Sequence, residues 1–143
     1  MRNYKSLTES QRKALLNFPV YTSLLAAKDR KLEEKERITA IQFAHTKVFT
    51  CDPLLADFCR ESDSVFESNL GLIEALLPQD ARKRDALIRK ELLNLETILL
   101  KMGKDYSYLL HQSMRTFREH IQKANHSVIE DFILPIAIPG LTD

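Results

Sequence analysis

The chain has 143 residues, 44% apolar and 29% charged, and its 21 basic and 20 acidic side chains leave a net charge of +1. That length predicts one domain, residues 1–143, with a real core, and the interspersed charge removes any electrostatic case for nucleic acid or an anionic membrane as partner. Three glycines and five prolines, the prolines falling where helices should start or stop, predict an all-α chain with short connections.

Residues 1–6 lack the apolar core of a signal peptide and read as a flexible lead. The longest uncharged stretch, 14–27, contains Pro19 and is too short to cross a bilayer. The expectation is a cytoplasmic protein with no membrane span. Cys51 and Cys59 do not make a Cys-x-x-Cys pair, and no third cysteine completes a metal set with His45, so they read as reduced thiols buried as small hydrophobes.

Thr8 followed three residues later by Gln11 is a capping-box pattern that starts the first helix. Leu15, Phe18, Tyr21, Leu24 and Leu25 give its apolar face. Pro19 removes one backbone donor and should kink this helix or split it, the continuing periodicity favouring a kink. The run Ala26-Ala27-Lys28-Asp29-Arg30-Lys31-Leu32-Glu33-Glu34-Lys35-Glu36 then turns a corner into a second helix. Asp29 suits a turn or helix start, and Glu33, Glu34 and Glu36 would face the positive end of the helix dipole. Ile38, Ile41, His45 and Val48 recur at helical spacing, which places His45 inward as a hydrogen-bonded core residue.

Asp52-Pro53 opens the third helix, with the aspartate as cap and the proline where its missing N–H costs nothing. Leu55, Phe58, Cys59, Ser62, Val65, Phe66, Asn69, Ile73 and Leu76 keep a spacing near 3.5, and Pro78 ends it. Ser62 and Asn69 would bond across to a neighbour or set register. Gly71 would permit close approach of another helix. Asp80 caps the fourth helix, which faces inward with Leu87, Ile88, Leu92, Leu95, Leu99 and Met102, while Arg82, Lys83 and Arg84 read as a solvated flank. An unbroken helix from 80 to 134 would run about 80 Å, too long for this chain, so Gly103 marks a turn. The fifth helix, from about Asp105, carries Tyr106, Leu110, Met114, Phe117, Ile121, Ala124, Val128 and Phe132 on one face. Pro135 stops it, and residues 135–143 form an apolar tail that must pack on the bundle or on a partner.

The stretch Leu7-Thr8-Glu9-Ser10-Gln11-Arg12-Lys13-Ala14-Leu15-Leu16, then Pro19, Ala26-Ala27 and Asp29-x-x-Leu32-x-x-x-Glu36, resembles the opening of the TerB-like, tellurite-resistance-related family. The likeness covers about the first third of the chain. Arg30 stands where that family has a glycine, and no second Asp-Gly corner follows. The resemblance implies an all-helical bacterial protein whose acidic corner is associated with divalent cations, here Asp29, Glu33 and Glu36.

The sequence carries no convergent catalytic pattern. A ferritin-like dinuclear centre needs Glu-x-x-His, which does not occur. His126 and Glu130 share a helical face without an identifiable second pair. An EF-hand loop from Asp29 fails at Lys31, Glu34 and Ala40. Glycines only at 71, 103 and 140 make neither a phosphate loop nor a Gly-x-Ser-x-Gly elbow. His45 with a cysteine is the weakest reading, a thiol enzyme. The sequence therefore predicts a single all-α bundle of about five helices, TerB-like or up-down, acting as a non-catalytic binding or adaptor module. It would engage a protein partner or a second copy through the C-terminal tail and last helix. The alternative is a divalent-cation-binding protein using the acidic corner; no other cofactor is expected.

Overall fold

The computed structural model describes residues 4–27 and 31–133, with side chains described as far as 124. All regular structure there is helical: α1 (Glu9–Leu15), α2 (Phe18–Ala26), α3 (Glu34–Thr50), α4 (Ala56–Leu76), α5 (Ala81–Leu99) and α6 (Lys104–Ile133). This is the expected small all-α bundle. No helix among the described residues is long and apolar enough to cross a membrane.

The bundle is assembled around its second helix. The nine residues of α2 carry no charge, and seven of them are buried. A helix apolar on every side has to be enclosed, and α2 packs against α4, α5 and α6 together, while α3 closes the gap between α4 and α6. Two adjoining apolar clusters make the core. One gathers Phe18, Leu15, Phe58, Leu99 and Leu110, and the other Val20, Leu24, Phe66, Ile88 and Phe117. Each fully buried leucine or phenylalanine stabilises the fold by about 1.5–3 kcal/mol relative to exposure. The Ser23 hydroxyl, fully buried in α2, donates to the Pro19 carbonyl at 2.8 Å and so is not stranded.

The chain breaks ahead of Pro19 rather than bending at it. Leu16 ends α1, Asn17 starts α2, and the proline occupies the first turn of α2, where it forfeits no hydrogen bond. The capping box at Thr8 forms with both of its bonds, 3.1 Å from the Gln11 N–H to the Thr8 hydroxyl and 3.0 Å from the Thr8 N–H to the Gln11 side chain. Residues 4–6 depart from the flexible lead expected of them. They form a 3-10 turn, with the Tyr4 ring buried edge-on against Phe58 and its hydroxyl donating to Glu61 at 2.6 Å.

Helix α3 is rotated from its predicted register. Ala40 and Ala44 face inward, Ile38 is half exposed, and His45 points outward to pair with Asp63 on α4 at 3.0 Å. Alanines let α3 lie close to both α4 and α6, which the bulkier Ile38 and His45 face would prevent. In α4 the stripe begins as predicted at Leu55, Phe58, Cys59, Ser62 and Phe66, then passes through Leu70 to leave Leu76 82% exposed. A 3.5-residue spacing drifts about 20° per heptad on a straight helix; after three heptads the predicted face has turned to solvent. Asn69 remains close enough to donate to Asn17 at 2.9 Å. Gly71 faces open space, so it serves no close approach.

Asp52 caps a 3-10 turn, Pro53–Leu55, ahead of α4, and Asp80 caps α5 by accepting from the Lys83 N–H at 3.0 Å. Gly103 adopts φ +88° and makes the turn that sequence placed there. Along α6 the stripe Tyr106, Leu110, Met114, Phe117 and Ile121 is buried throughout. Val128, Phe132, His126 and Glu130 have side chains outside the described set, and the tail 135–143 lies outside the described residues.

Candidate functional site

The densest polar arrangement lies where α3 begins, α4 ends and α5 begins. Glu33 precedes α3 as its cap, its carboxylate accepting the Glu36 N–H while Glu36 Oε1 accepts the Glu33 N–H at 2.9 Å. The Glu36 side chain returns into the protein and is only 1% exposed. One residue on, the Arg37 guanidinium reaches Glu74 in the last turn of α4, where Nη2 donates to Oε1, and its Nε lies 3.9 Å from Glu34 Oε2. The second Glu74 oxygen faces Arg84, in the first turn of α5, across 3.9 Å. Arg84 is 3% exposed and Glu74 12%.

Glu74 and Arg84 are each placed against their own helix. A carboxylate near a C-terminus and a guanidinium near an N-terminus both oppose the helix dipole, at a cost of about 0.3–1 kcal/mol apiece. Only the tertiary pairing compensates them. Even so, Arg84 Nε and Nη2 and Glu74 Oε2 make no hydrogen bond. The ion pair is therefore buried and imperfectly satisfied, the class in which removing one partner is costly because the other stays desolvated. Arg84 thus corrects the solvated-flank expectation: Arg82 and Lys83 are exposed and Arg84 is interior.

Of the predicted acidic triad, Glu33 and Glu36 come together at the start of α3, and Asp29 lies outside the described residues. Among the described residues no three His, Cys, Asp or Glu side chains gather as a metal set. A cation here would compete with the backbone N–H groups that Glu33 and Glu36 already accept. The histidines with described side chains are placed separately. His45 pairs with Asp63, His111 with Glu96 of α5 at 2.7 Å, and His120 stacks on Phe43 with ring centroids 4.4 Å apart.

A second cluster sits at the far end of α3. Cys51 caps that helix and is half-buried, Cys59 is buried in the fourth position of α4, and both side chains pack into the apolar cluster of Phe58 and Leu99. Burial, and then the neighbouring Cys51 thiol, push the Cys59 thiol well above its usual range. Tyr106 packs beside them with a buried, unpartnered hydroxyl, and burial raises it likewise. Cys51 opens on a cleft of about 200 Å³, lined also by Lys47, Thr50, Asp52, Gln112 and Thr116.

A sequence signal for the buried charges existed. Glu36 is four residues before Ala40, Glu74 four after Leu70, and Arg84 four before Ile88; each continues an inward stripe by one turn. The thiol contact had no such signal, because it depends on the angle between α3 and α4. The chain matches no protein family, no curated protein and no solved structure.

Proposed function

We propose that this chain is a non-catalytic helical binding module, an adaptor that works by presenting apolar helix surface to another protein. The observation that carries the reading is the surface of α5: Leu93 is 69% and Leu100, at the end of the same helix, 82% exposed. Seven residues apart, they fall on one face two turns long, on the side of α5 away from its buried stripe Ile88, Leu95 and Leu99. Leu72 and Leu76 add a second exposed pair on α4, and Tyr108 an exposed ring on α6. Holding such side chains in water forgoes apolar burial that a partner would supply. The tail 135–143, the first surface suggested by sequence, would extend the contact.

A second copy of the chain is the simplest occupant, and the resemblance to the TerB-like family is consistent with a bacterial, cytoplasmic protein of this kind. Light scattering across a concentration series tests it. Association that weakens on Leu93→Glu with Leu100→Glu supports the module; a strict monomer removes self-association through α5.

The second reading is divalent-cation binding by Asp29, Glu33 and Glu36. It is favoured by the placement of Glu33 and Glu36 together at one helix start. Calorimetric titration with calcium, magnesium, manganese and zinc decides it. No heat and no change in melting temperature at millimolar cation eliminates it.

A further inference from the structure

The helix junction at the far end of α3 has a chemistry that neither reading uses. We propose that Cys51 and Cys59 are a redox pair: Cys51 meets a hydroperoxide through its cleft, and Cys59 resolves the product into an intramolecular disulfide.

Three features of the structure carry this. The thiols bracket the α3–α4 connection, one capping the end of α3 and the other in the first turn of α4, and both pack into the same apolar cluster. Closing a disulfide therefore joins side chains that the fold already holds in one cluster, whereas thiols at unrelated places would need backbone movement. The two are also unequal in access. Cys59 is 5% exposed inside the apolar cluster of Phe58, Leu99 and Tyr106, whereas Cys51 is half-buried and borders the cleft. Finally, the cleft is polar, with the Lys47 ammonium and the Thr50 and Thr116 hydroxyls among its walls. A small polar oxidant fits there.

The chemistry balances with the peroxide as sole oxidant. The Cys51 sulfur attacks one peroxide oxygen, the O–O bond breaks, and the departing oxygen takes the thiol proton to leave as an alcohol or water. Cys51 is then a sulfenic acid. The Cys59 sulfur attacks the Cys51 sulfur, the S–O bond breaks, and the hydroxide leaves as water with the Cys59 proton. Two thiols have lost two electrons and the peroxide has gained them. An external dithiol reverses the change. With only two cysteines in the chain, no other intramolecular pairing competes.

The experiment treats the full, reduced chain with hydrogen peroxide, then counts thiols by alkylation after denaturation and weighs the intact protein. Both thiols are expected to vanish together, with the mass lower by two hydrogens, no covalent dimer, and full recovery on adding dithiothreitol. In Cys59→Ala, which keeps the pocket apolar, a sulfenic acid should persist at Cys51 and be trapped by dimedone. In Cys51→Ser the remaining thiol should be lost at least about tenfold more slowly than in the parent, because burial shields it. The proposal is overturned if the parent gains oxygen at Cys51 while Cys59 stays alkylatable, if the disulfide links two chains, or if both thiols survive the exposure.

Discussion

Replacing Glu74 by glutamine tests the account of the buried charges most sharply. Glutamine has the same shape and still accepts a hydrogen bond from Arg37, so packing at the end of α4 is preserved. What disappears is the negative charge facing Arg84, whose guanidinium is 3% exposed and has no hydrogen bond from Nε or Nη2. Unit charges 3.9 Å apart attract by about 4 kcal/mol at an effective dielectric constant of about 20. Stranding one partner of a buried pair costs about 3–5 kcal/mol. Unfolding of a chain this long carries an entropy of roughly 300 cal/mol/K, so the melting temperature should fall by about 10–17 °C. Urea denaturation followed by far-UV circular dichroism measures the free-energy loss and a thermal melt the fall in melting temperature, with an unchanged m-value showing that the folded and unfolded states are otherwise the same. Arg84→Met is the control. It removes the buried cation, fills its volume and leaves Glu74 its partner Arg37, so it should cost less than about 1 kcal/mol. A Glu74→Gln loss below about 1 kcal/mol, or equal losses in the two variants, would refute the reasoning.

The two described glycines should respond oppositely to alanine. Gly71 sits in mid-helix with nothing within 4 Å of an added Cβ, so Gly71→Ala should stabilise by about 1 kcal/mol, whereas Gly103→Ala at φ +88° should destabilise by about as much; thermal melts of both variants give the signs. Thr8→Ala removes the acceptor of the Gln11 N–H and should cost about 1 kcal/mol in the same assay. Burial holds the Cys59 thiol above its ordinary 9.0 and the Tyr4 and Tyr106 phenols above 10.0. Above about pH 9 the unfolded chain therefore binds fewer protons than the folded one. Stability is whole below that pH and falls above it, by up to about 1.4 kcal/mol per pH unit for each group ionised only when unfolded. Denaturation midpoints that stay level from neutral to about pH 11 would contradict the burial of these groups.

Reading helices from this sequence worked where the signal is local. The Thr8 capping box, the Asp52-Pro53 start, the Asp80 cap and the positive-φ turn at Gly103 all depend on a few neighbouring residues, and all appear. Faces were less legible. In α3 the choice between the Ile38/His45 side and the Ala40/Ala44 side went to the alanines, since two neighbours had to fit closely at once. In α4 a heptad-like spacing lost phase with a straight helix, so Leu70 is buried and Leu76 is not. The redox pair and the ion pair belong to the same category, because their partners come from different helices.

The order of charges, apolar repeats and breakers along the chain determined that it would be helical, where most helices start and stop, and which long stripes on α5 and α6 would be buried. These are properties of a residue and its neighbours within a turn or two, where backbone hydrogen bonding and side-chain periodicity act alone. Tertiary structure decided which helix is enclosed, which side of α3 faces in, that Arg84 is buried against Glu74, and that Cys51 meets Cys59. Those outcomes follow from the angles and separations at which the other helices pack with α2 and with one another, and they arise only when all the packing faces are satisfied together.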